Sequence, residues 1–481
     1  MAGIISYGGY IPLYRLSREL IGRAWMTTAG PGERSVANWD EDSLTMGVEA
    51  CTDCLNGRES QAVGGLYFAS TTPPYREKQT ASIVAAASDL QREIFTADFT
   101  DSVRAGTSAM QAAIDTVKAG SAKEVLIVAS DCRTAAPNSE FEPLFGDGAA
   151  AFLIGDSEVA VNIEGSYTFS SEFMDVWRLE GERFHRTWED RFVQAEGYVA
   201  HVREAVSALF KKYGVTPKDF TRLVLYAPTA RRHNEVVRSL GFDAKTQVQE
   251  PLFNTVGHTG AAFAPMMLVA ALEEAKPGDR ILYVNYGDGV DAYILGVTEQ
   301  IENVRNRRGI KQHLASKSML PTYEKYVRFR NLMEWEPERR PPDISALTVL
   351  WRERNQILRL HGHRCRQCGT IQFPMQRVCT WCQAKDDFEE VRLSDKQGTI
   401  FTFSMDDRAM VPELPNVICI VDLEGGGRFY TRVTDRDPGK IEVGTKVELT
   451  LRNMHDGSGL HNYFWLARPI RSKGEQENGE H

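Results

Sequence analysis

The stretch DFTDSVRAGTSAM, Asp98 to Met110, is the one from which the fold is read. Its polar, glycine-containing turn runs straight into an apolar-periodic segment, Ala109 to Val117. That is how a buried helix begins with its free N–H groups directed at something. Such a start can hold an anion or an oxyanion, since exposed amides and summed peptide dipoles favour negative charge by roughly 0.3–1 kcal/mol or more. The same residues also read as an ordinary core helix capped by Thr107 or Ser108.

A second stretch, TVGHTGAAFAPMM from Thr255 to Met267, again passes from a glycine-flanked turn into an apolar helix. Each helix is followed by a loop, a strand and a Gly-Asp-Gly hairpin: EVLIVASD with GDGAAAFLIG from Gly146 to Gly155, then RILYVNY with GDGVDAYILG from Gly287 to Gly296. Gly, Asp, Gly, Ala and the final Gly coincide, and Phe152 faces Tyr293 in the alignment. This is an internal duplication. Two such units imply two similar halves about a pseudo-twofold axis, with both helix starts turned to a common site.

A length of 481 residues suggests about three domains, and 42% hydrophobic with 10% aromatic residues gives a sizeable core. The net charge of −9 argues against nucleic acid as a partner. The start MAGIISYGGY lacks the pattern of a signal peptide, and the longest apolar stretch, around Gly260 to Leu272, is too short for a bilayer. A cytoplasmic protein with no membrane contact is expected. Eight cysteines in so long a chain do not form a secreted disulfide framework. Cys51 and Cys54, on one face of a helix at Leu44 to Leu55, read as buried thiols.

The segments GIISYGGYIPLYRLSRE, PPYREKQTASIVAAA at 73 to 87, SVRAGTSAMQ, GDGAAAFLIG, DVWR at Asp175 to Arg178, VGHTGAA and YEKYVRFRNL at 323 to 332 stand in one order from residue 1 to about 333. Together they resemble the thiolase superfamily, closest to archaeal and bacterial hydroxymethylglutaryl-CoA synthases. The resemblance implies an α/β, thiolase-like duplicated five-layer fold, with halves at 1–160 and 161–335. It also implies a homodimer paired through a sheet edge, and a coenzyme A thioester as substrate. The segment DVWRLEGERFHRTWEDRF would then cover the mouth of the site. Arg178, Arg231 and Arg232 are candidates for the CoA phosphates; plain surface charge is the other reading of these arginines.

From about 301 to 360 the composition turns charged and proline-containing, as in IENVRNRRGIKQ and WEPERRPPDIS, with a boundary near 340 and a linker (336–360) carrying a short helix at Ser345 to Leu358. Cys365-x2-Cys368 and Cys379-x2-Cys382, ten residues apart, have the spacing of a zinc ribbon at 361–385. Four thiolates close a tetrahedron and leave no position for water, so the zinc is expected to be structural. Beyond it, 386–481 alternates apolar and polar residues as a small antiparallel barrel. Ribbon then barrel resembles the zinc-ribbon and OB-fold proteins that accompany thiolase-like enzymes, which implies a role in holding acyl-CoA or bracing a dimer. It leaves room for a complex with another acyl-CoA enzyme.

Synthases of this kind attack with a cysteine in a motif close to CKAGT, because a helix start lowers the thiol pKa. This chain has VRAGT, which puts Val103 at the nucleophile position; a slip of one residue would put Arg104 there. The family's glutamate base matches Thr71 and its histidine matches Tyr226, while His258 stands where thiolases carry histidine. The residues left suit chemistry without a covalent step, as in thiolase-like steroid side-chain aldolases. Tyr226 is expected as proton acceptor or donor. His258 and the amides near Ala105 and Gly106 are expected to hold an enolate, with Ser102 and Thr71, and Asp101 beside them, as positioning groups. Retro-aldol cleavage of a β-hydroxyacyl-CoA leads. Claisen condensation, with Cys132 as a relocated nucleophile, and a non-catalytic acyl-CoA scaffold stand as alternatives.

Overall fold

The structure is a computed structural model that describes residues 2–58, 60–336 and 345–471. The first half contributes β1 (Gly3–Tyr10), β2 (Val63–Ala69), β3 (Phe95–Phe99), β4 (Glu124–Cys132) and β5 (Asp147–Gly155). The second contributes β6 (Val161–Ser170), β7 (Arg222–Leu225), β8 (Arg280–Tyr286) and β9 (Gly289–Val297). They form one continuous sheet in the order β7-β8-β9-β6-β1-β5-β4-β2-β3. The halves join where β1 meets β6 through Gly3–Asn162 and Ile4–Val161.

The duplication is visible strand by strand. In the first half β1 and β4 both run antiparallel to β5, while β2 is parallel to β4 and β3. In the second, β6 and β8 flank β9 antiparallel, and β7 is parallel to β8. The counterpart of β3 is reduced to one parallel bridge between Leu223 and Val248. Phe152 pairs with Tyr7 and Ile127, and Tyr293 with Tyr283 and Ser166, so the aromatics aligned by sequence occupy equivalent places.

Five layers follow from which helix face is apolar. Helices α1 (Ser43–Leu55) and α2 (Thr80–Ala87) cover the outer face of the first half, with Cys51 and Cys54 buried there. Helices α3 (Ala105–Lys118) and α6 (Phe263–Glu274) lie in the middle layer, and α4 (Ala200–Tyr213) covers β6 and β9 outside the second half. Nine of the first ten residues of α6 are buried, because it is enclosed on both sides, whereas α3 buries a stripe through Ala105, Ala109, Ala113 and Val117. At their crossing a Cβ on Gly106 would stand 3.0 Å from both the Ala261 carbonyl oxygen and Pro265 Cγ, so the backbones meet at a glycine.

Two local expectations are corrected. Helix α3 starts at Ala105 after Arg104, earlier than a Thr107 or Ser108 cap would place it, and no side chain caps it. Thr107 Oγ1 instead donates to Asp291 Oδ2 at 2.6 Å, with Arg104 O 3.0 Å away as the other acceptor in reach. In the second copy Gly287 and Asp288 do make the hairpin turn, but in the first β5 already begins at Asp147, and the long segment 133–146 connects it to β4. That longer connection supplies part of the site.

Residues 337–344, with part of the connector and its boundary near 340, lie outside the described residues. The linker helix is two short pieces, Leu347–Arg352 and Arg354–Ile357. Farther on, β10 (Gln397–Asp406), β11 (Asn416–Leu423), β12 (Arg428–Arg432), β13 (Lys446–Gly457) and β14 (Leu460–Pro469) run in the order β12-β11-β10-β13-β14. A parallel bridge from Val433 to Ala467 closes them into a barrel. No helix among the described residues is long and apolar enough to cross a membrane.

Candidate active site

Most of the residues singled out in the sequence meet in one cavity of about 310 Å³, which Thr71, Asp101, Ser102, Val103, Arg178, Tyr226 and His258 all line. They come from strand ends and helix starts of both halves. Tyr226 follows β7, with its amide donating to Val284 O at 2.9 Å. His258 sits on the turn before α6, its amide donating to Leu144 O at 2.7 Å. Thr71 follows β2, where Asp131 at the end of β4 accepts from the Thr71 amide at 2.7 Å and hydroxyl at 2.8 Å. The same carboxylate accepts from the Ala261 amide at 2.7 Å, tying the Thr71 loop to the His258 turn. Gly260 fits between them with φ of 58°; a Cβ there would lie 2.0 Å from Asp131 Oδ2.

Tyr226 and His258 form the pair the sequence could not place together. The Tyr226 hydroxyl lies 2.9 Å from His258 Nε2. The Gly260 amide donates to Nδ1 at 3.2 Å, and Arg133 Nη1, which can only donate, is 3.3 Å from the same nitrogen. Nδ1 is therefore the lone-pair nitrogen, and the ring proton sits on Nε2 and donates to Tyr226. Burial, then the charge of Arg133, pushes His258 down to about 3, so the ring is neutral. Burial and the nearby Asp175 carboxylate raise Tyr226, so it keeps its proton, and accepting from His258 leaves that proton free to point into the cavity.

Two expectations shift. His258 has both ring nitrogens engaged, so it orients Tyr226 rather than meeting a ligand with a free N–H. The Ala105 amide donates to Ser102 O at 3.0 Å, and Ser102 Oγ accepts from the Arg104 amide at 3.2 Å; Ser102 itself shapes the turn before α3. Val103 packs by Gly287, where a Cβ would lie 2.7 Å from its Cγ2.

Cys132 is not among the described residues lining the cavity. Its Sγ accepts from Arg330 Nη1 at 2.6 Å, and burial raises the thiol despite that cation. Arg178 lines the cavity mouth and donates to Thr71 O at 2.9 Å. Arg231 is exposed at the start of α5 (Ala230–Leu240), and Arg232 pairs with Glu235 at 2.8 Å; neither lines the cavity. The segment after Ser171 folds over the opening through a two-strand ribbon, Val176–Trp177 with Arg186–Thr187.

Three further residues line the cavity. Asp175 appeared in the sequence only as part of a motif; burial raises its carboxyl, while the Val176 amide and the Tyr286 hydroxyl hold it back. His185, within the segment expected to cover the mouth, is pushed down to about 2 by burial and by Arg133. Arg133 was hidden in ASDCRT beside the more conspicuous Cys132.

A separate cluster lies in the C-terminal part. The sulfurs of Cys365, Cys368, Cys379 and Cys382 all lie within 4.8 Å of one another, with two pairs at 3.6 Å. Zinc with sulfurs at about 2.3 Å needs S–S edges of about 3.8 Å, so four thiolates in this spacing fit a tetrahedral metal.

Known proteins are similar in sequence to about two thirds of this chain. A hydroxymethylglutaryl-CoA synthase of Methanopyrus kandleri is 33% identical over 344 residues, spanning 69% of this chain and 98% of that protein. The chain belongs to the hydroxymethylglutaryl-CoA synthase family. A synthase of Methanosarcina mazei is 34% identical over 342 residues, spanning 68% of this family member and 97% of that protein. Residues 97–172 and 210–295 match 3-oxoacyl-[acyl-carrier-protein] synthase III and its C-terminal part, and residues 390–452 match the C-terminal OB-fold domain of ChsH2. The fold is shared with MvaS in complex with 3-hydroxy-3-methylglutaryl coenzyme A, at 18% identity and a TM-score of 0.62 over 72% of this chain and 95% of that one. The synthase-family chain is thus a thiolase-superfamily enzyme, joined to an OB-fold domain.

Proposed function

We propose that this synthase-family enzyme makes or breaks carbon–carbon bonds in an acyl-CoA through an enolate, without a covalent acyl-enzyme, most simply as retro-aldol cleavage of a β-hydroxyacyl-CoA. The observation that carries the reading is Val103 at the nucleophile position, on a cavity wall shared with the Tyr226–His258 pair. A base takes the β-hydroxyl proton, the Cα–Cβ bond breaks to leave an aldehyde or ketone, and its electrons form the enolate of a shorter acyl-CoA. Protonation at Cα then completes the reaction. Tyr226 donates to the thioester oxygen where negative charge develops, and His258 fixes its direction. Asp175, raised by burial, serves as the base. Thr71 and Ser102 position the loops.

A second reading, condensation of the synthase type through an acyl-enzyme on another residue such as Cys132, draws on relatives 33% identical over nearly their whole length. The buried, Arg330-held thiol weighs against it. In the third, the chain is an acyl-CoA-binding scaffold. The remaining assignments are part of the proposal: CoA phosphates at Arg178, Arg231 and Arg232, structural zinc in a ribbon at 361–385, halves divided at 160/161, a linker at 336–360 and a barrel at 386–481. A cytoplasmic homodimer, able to associate with another acyl-CoA enzyme, completes it.

The experiment is incubation with β-hydroxyacyl-CoA thioesters and analysis for a shortened acyl-CoA with an aldehyde or ketone. Acylated peptide recovered after substrate trapping would replace the lyase reading with acyl transfer, and ligand-induced stabilisation without product on any thioester would leave the scaffold.

A further inference from the structure

Arg133 is the buried cation among the described residues lining the cavity, and the proposed reaction gives it no role so far. It is 3% exposed, lies in the loop that follows β4, and lines the cavity. Its guanidinium carbon stands 4.0 Å above the Phe145 ring. Its one hydrogen bond among the described residues runs from Nη1 to His258 Nδ1 at 3.3 Å, and its buried Nε has no partner. No carboxylate pairs with it within 4.0 Å among the described residues. Asp131, the nearest acid in sequence, has its oxygens taken up by Ser70, Thr71, Thr72 and the Ala261 amide. A buried guanidinium with no carboxylate in direct contact costs less when negative charge appears at its free edge.

We infer that Arg133 is a catalytic residue that binds the enolate oxyanion of the reacting thioester, acting on the same wall as Tyr226. The inference rests on the proposed acyl-CoA reading and names the group that meets the negative charge. Guanidinium, imidazole and phenol form one chain: Arg133 Nη1 at Nδ1, then Nε2 at the Tyr226 hydroxyl. Both groups line the cavity, and each keeps donor capacity that the described residues do not use. A carboxylate carried by the acyl chain is the other anion Arg133 could hold. The titratable lining is otherwise largely acidic, with Asp101, Glu140, Asp175, Asp190 and Asp288, which disfavours a group that enters already charged. Charge that arises only during reaction is stabilised without that repulsion.

The test is calorimetric titration of the full-length protein with two CoA thioethers of nearly equal size, S-carboxymethyl-CoA as the enolate mimic and S-carbamoylmethyl-CoA as its neutral counterpart. The wild-type protein should prefer the carboxymethyl compound at least tenfold. Arg133→Gln should bind both alike, with free CoA bound as before, and Arg133→Lys should restore part of the preference. Equal binding by the wild type, a measurement that needs no variant to fold, overturns the inference and leaves the acyl-CoA reading standing. So does a preference that survives in Arg133→Gln. Failure of the wild type to bind either compound or CoA overturns both. A wild-type preference for glutaryl-CoA over pentanoyl-CoA that disappears in Arg133→Gln moves Arg133 to a chain carboxylate and ends the enolate role.

Discussion

Tyr226 reaches into the cavity with its proton intact because His258 is held neutral and in one tautomer by the Gly260 amide and Arg133. Loss of one such donor lowers turnover by roughly 10²–10³-fold in enzymes that stabilise an oxyanion. Tyr226→Phe should therefore lower kcat for cleavage by about that factor with little change in thermal midpoint, measured by product formation on a β-hydroxyacyl-CoA. Undiminished turnover removes Tyr226 from the mechanism. Cys132 carries the opposite expectation. Its thiol is raised by burial and tied to Arg330, so treatment with iodoacetamide near neutral pH should leave activity intact, and mass spectrometry should find that residue unmodified.

At the scale of elements, the same helix start serves two purposes in the two halves. Helix α3 begins without a side-chain cap and packs its Gly106 on α6, while α6 is preceded by the turn that holds His258. The four-cysteine module stands apart from this core, with Cys365 and Cys379 buried and Cys368 and Cys382 exposed. Little apolar surface supports it: its buried cluster is Cys365, Cys379 and Ala384, with Phe388 against them. Zinc held there, as proposed, would dominate its folding, with about 10–16 kcal/mol in small zinc peptides as the guide. One zinc per chain is expected by elemental analysis. Cys379→Ser should bring that below about a tenth, scaled to the same binding energies, and open the ribbon to protease while the barrel and the thiolase-like half stay resistant. A metal content unchanged in that variant rejects the assignment.

Across the whole molecule, the barrel is locked onto α1 by buried charge. Arg452, fully buried on β13, pairs with Glu41, and with Asp435 at 2.6 Å, beside Asp40 at 3.8 Å. Arg468 on β14 pairs with Glu49 at 2.5 Å and Glu448 at 2.7 Å. Removing one partner of such a network leaves uncompensated carboxylates, so Arg452→Met should destabilise the protein by about 3–5 kcal/mol, measured by denaturant unfolding. A second contact reaches toward the cavity. His461 donates to Asp456 at 2.6 Å and to Pro74 O at 3.1 Å, and its amide donates to the Tyr75 hydroxyl at 2.8 Å, four residues past Thr71. With an acceptor on each ring nitrogen the charged form is favoured. Asp456 is the main cause of a raised pKa, burial works against it, and the Pro74 carbonyl and Asp42 add to it. A raised folded value means the stabilisation is complete below about 6.5, the unfolded value, and is lost as pH rises through the folded value. The difference in thermal midpoint between wild type and His461→Gln should shrink between about pH 6 and pH 9; a difference that grows with pH contradicts it.

The sequence by itself determined the layered fold, the duplication and the spacing of the four cysteines. These are written in local order: periodic apolar stripes, glycine-flanked turns and fixed spacings, which the chain expresses wherever its neighbours lie. The Tyr226–His258 bond, the unpartnered Nε of Arg133 and the raised Asp175 were decided only in the tertiary structure. Tyr226 and His258 are 32 residues apart, and Arg133 is 125 from His258, so their meeting depends on strand order and on the length of the loop after β4. Burial then sets their protonation, and burial is a property of the assembled layers that no single stretch of residues contains.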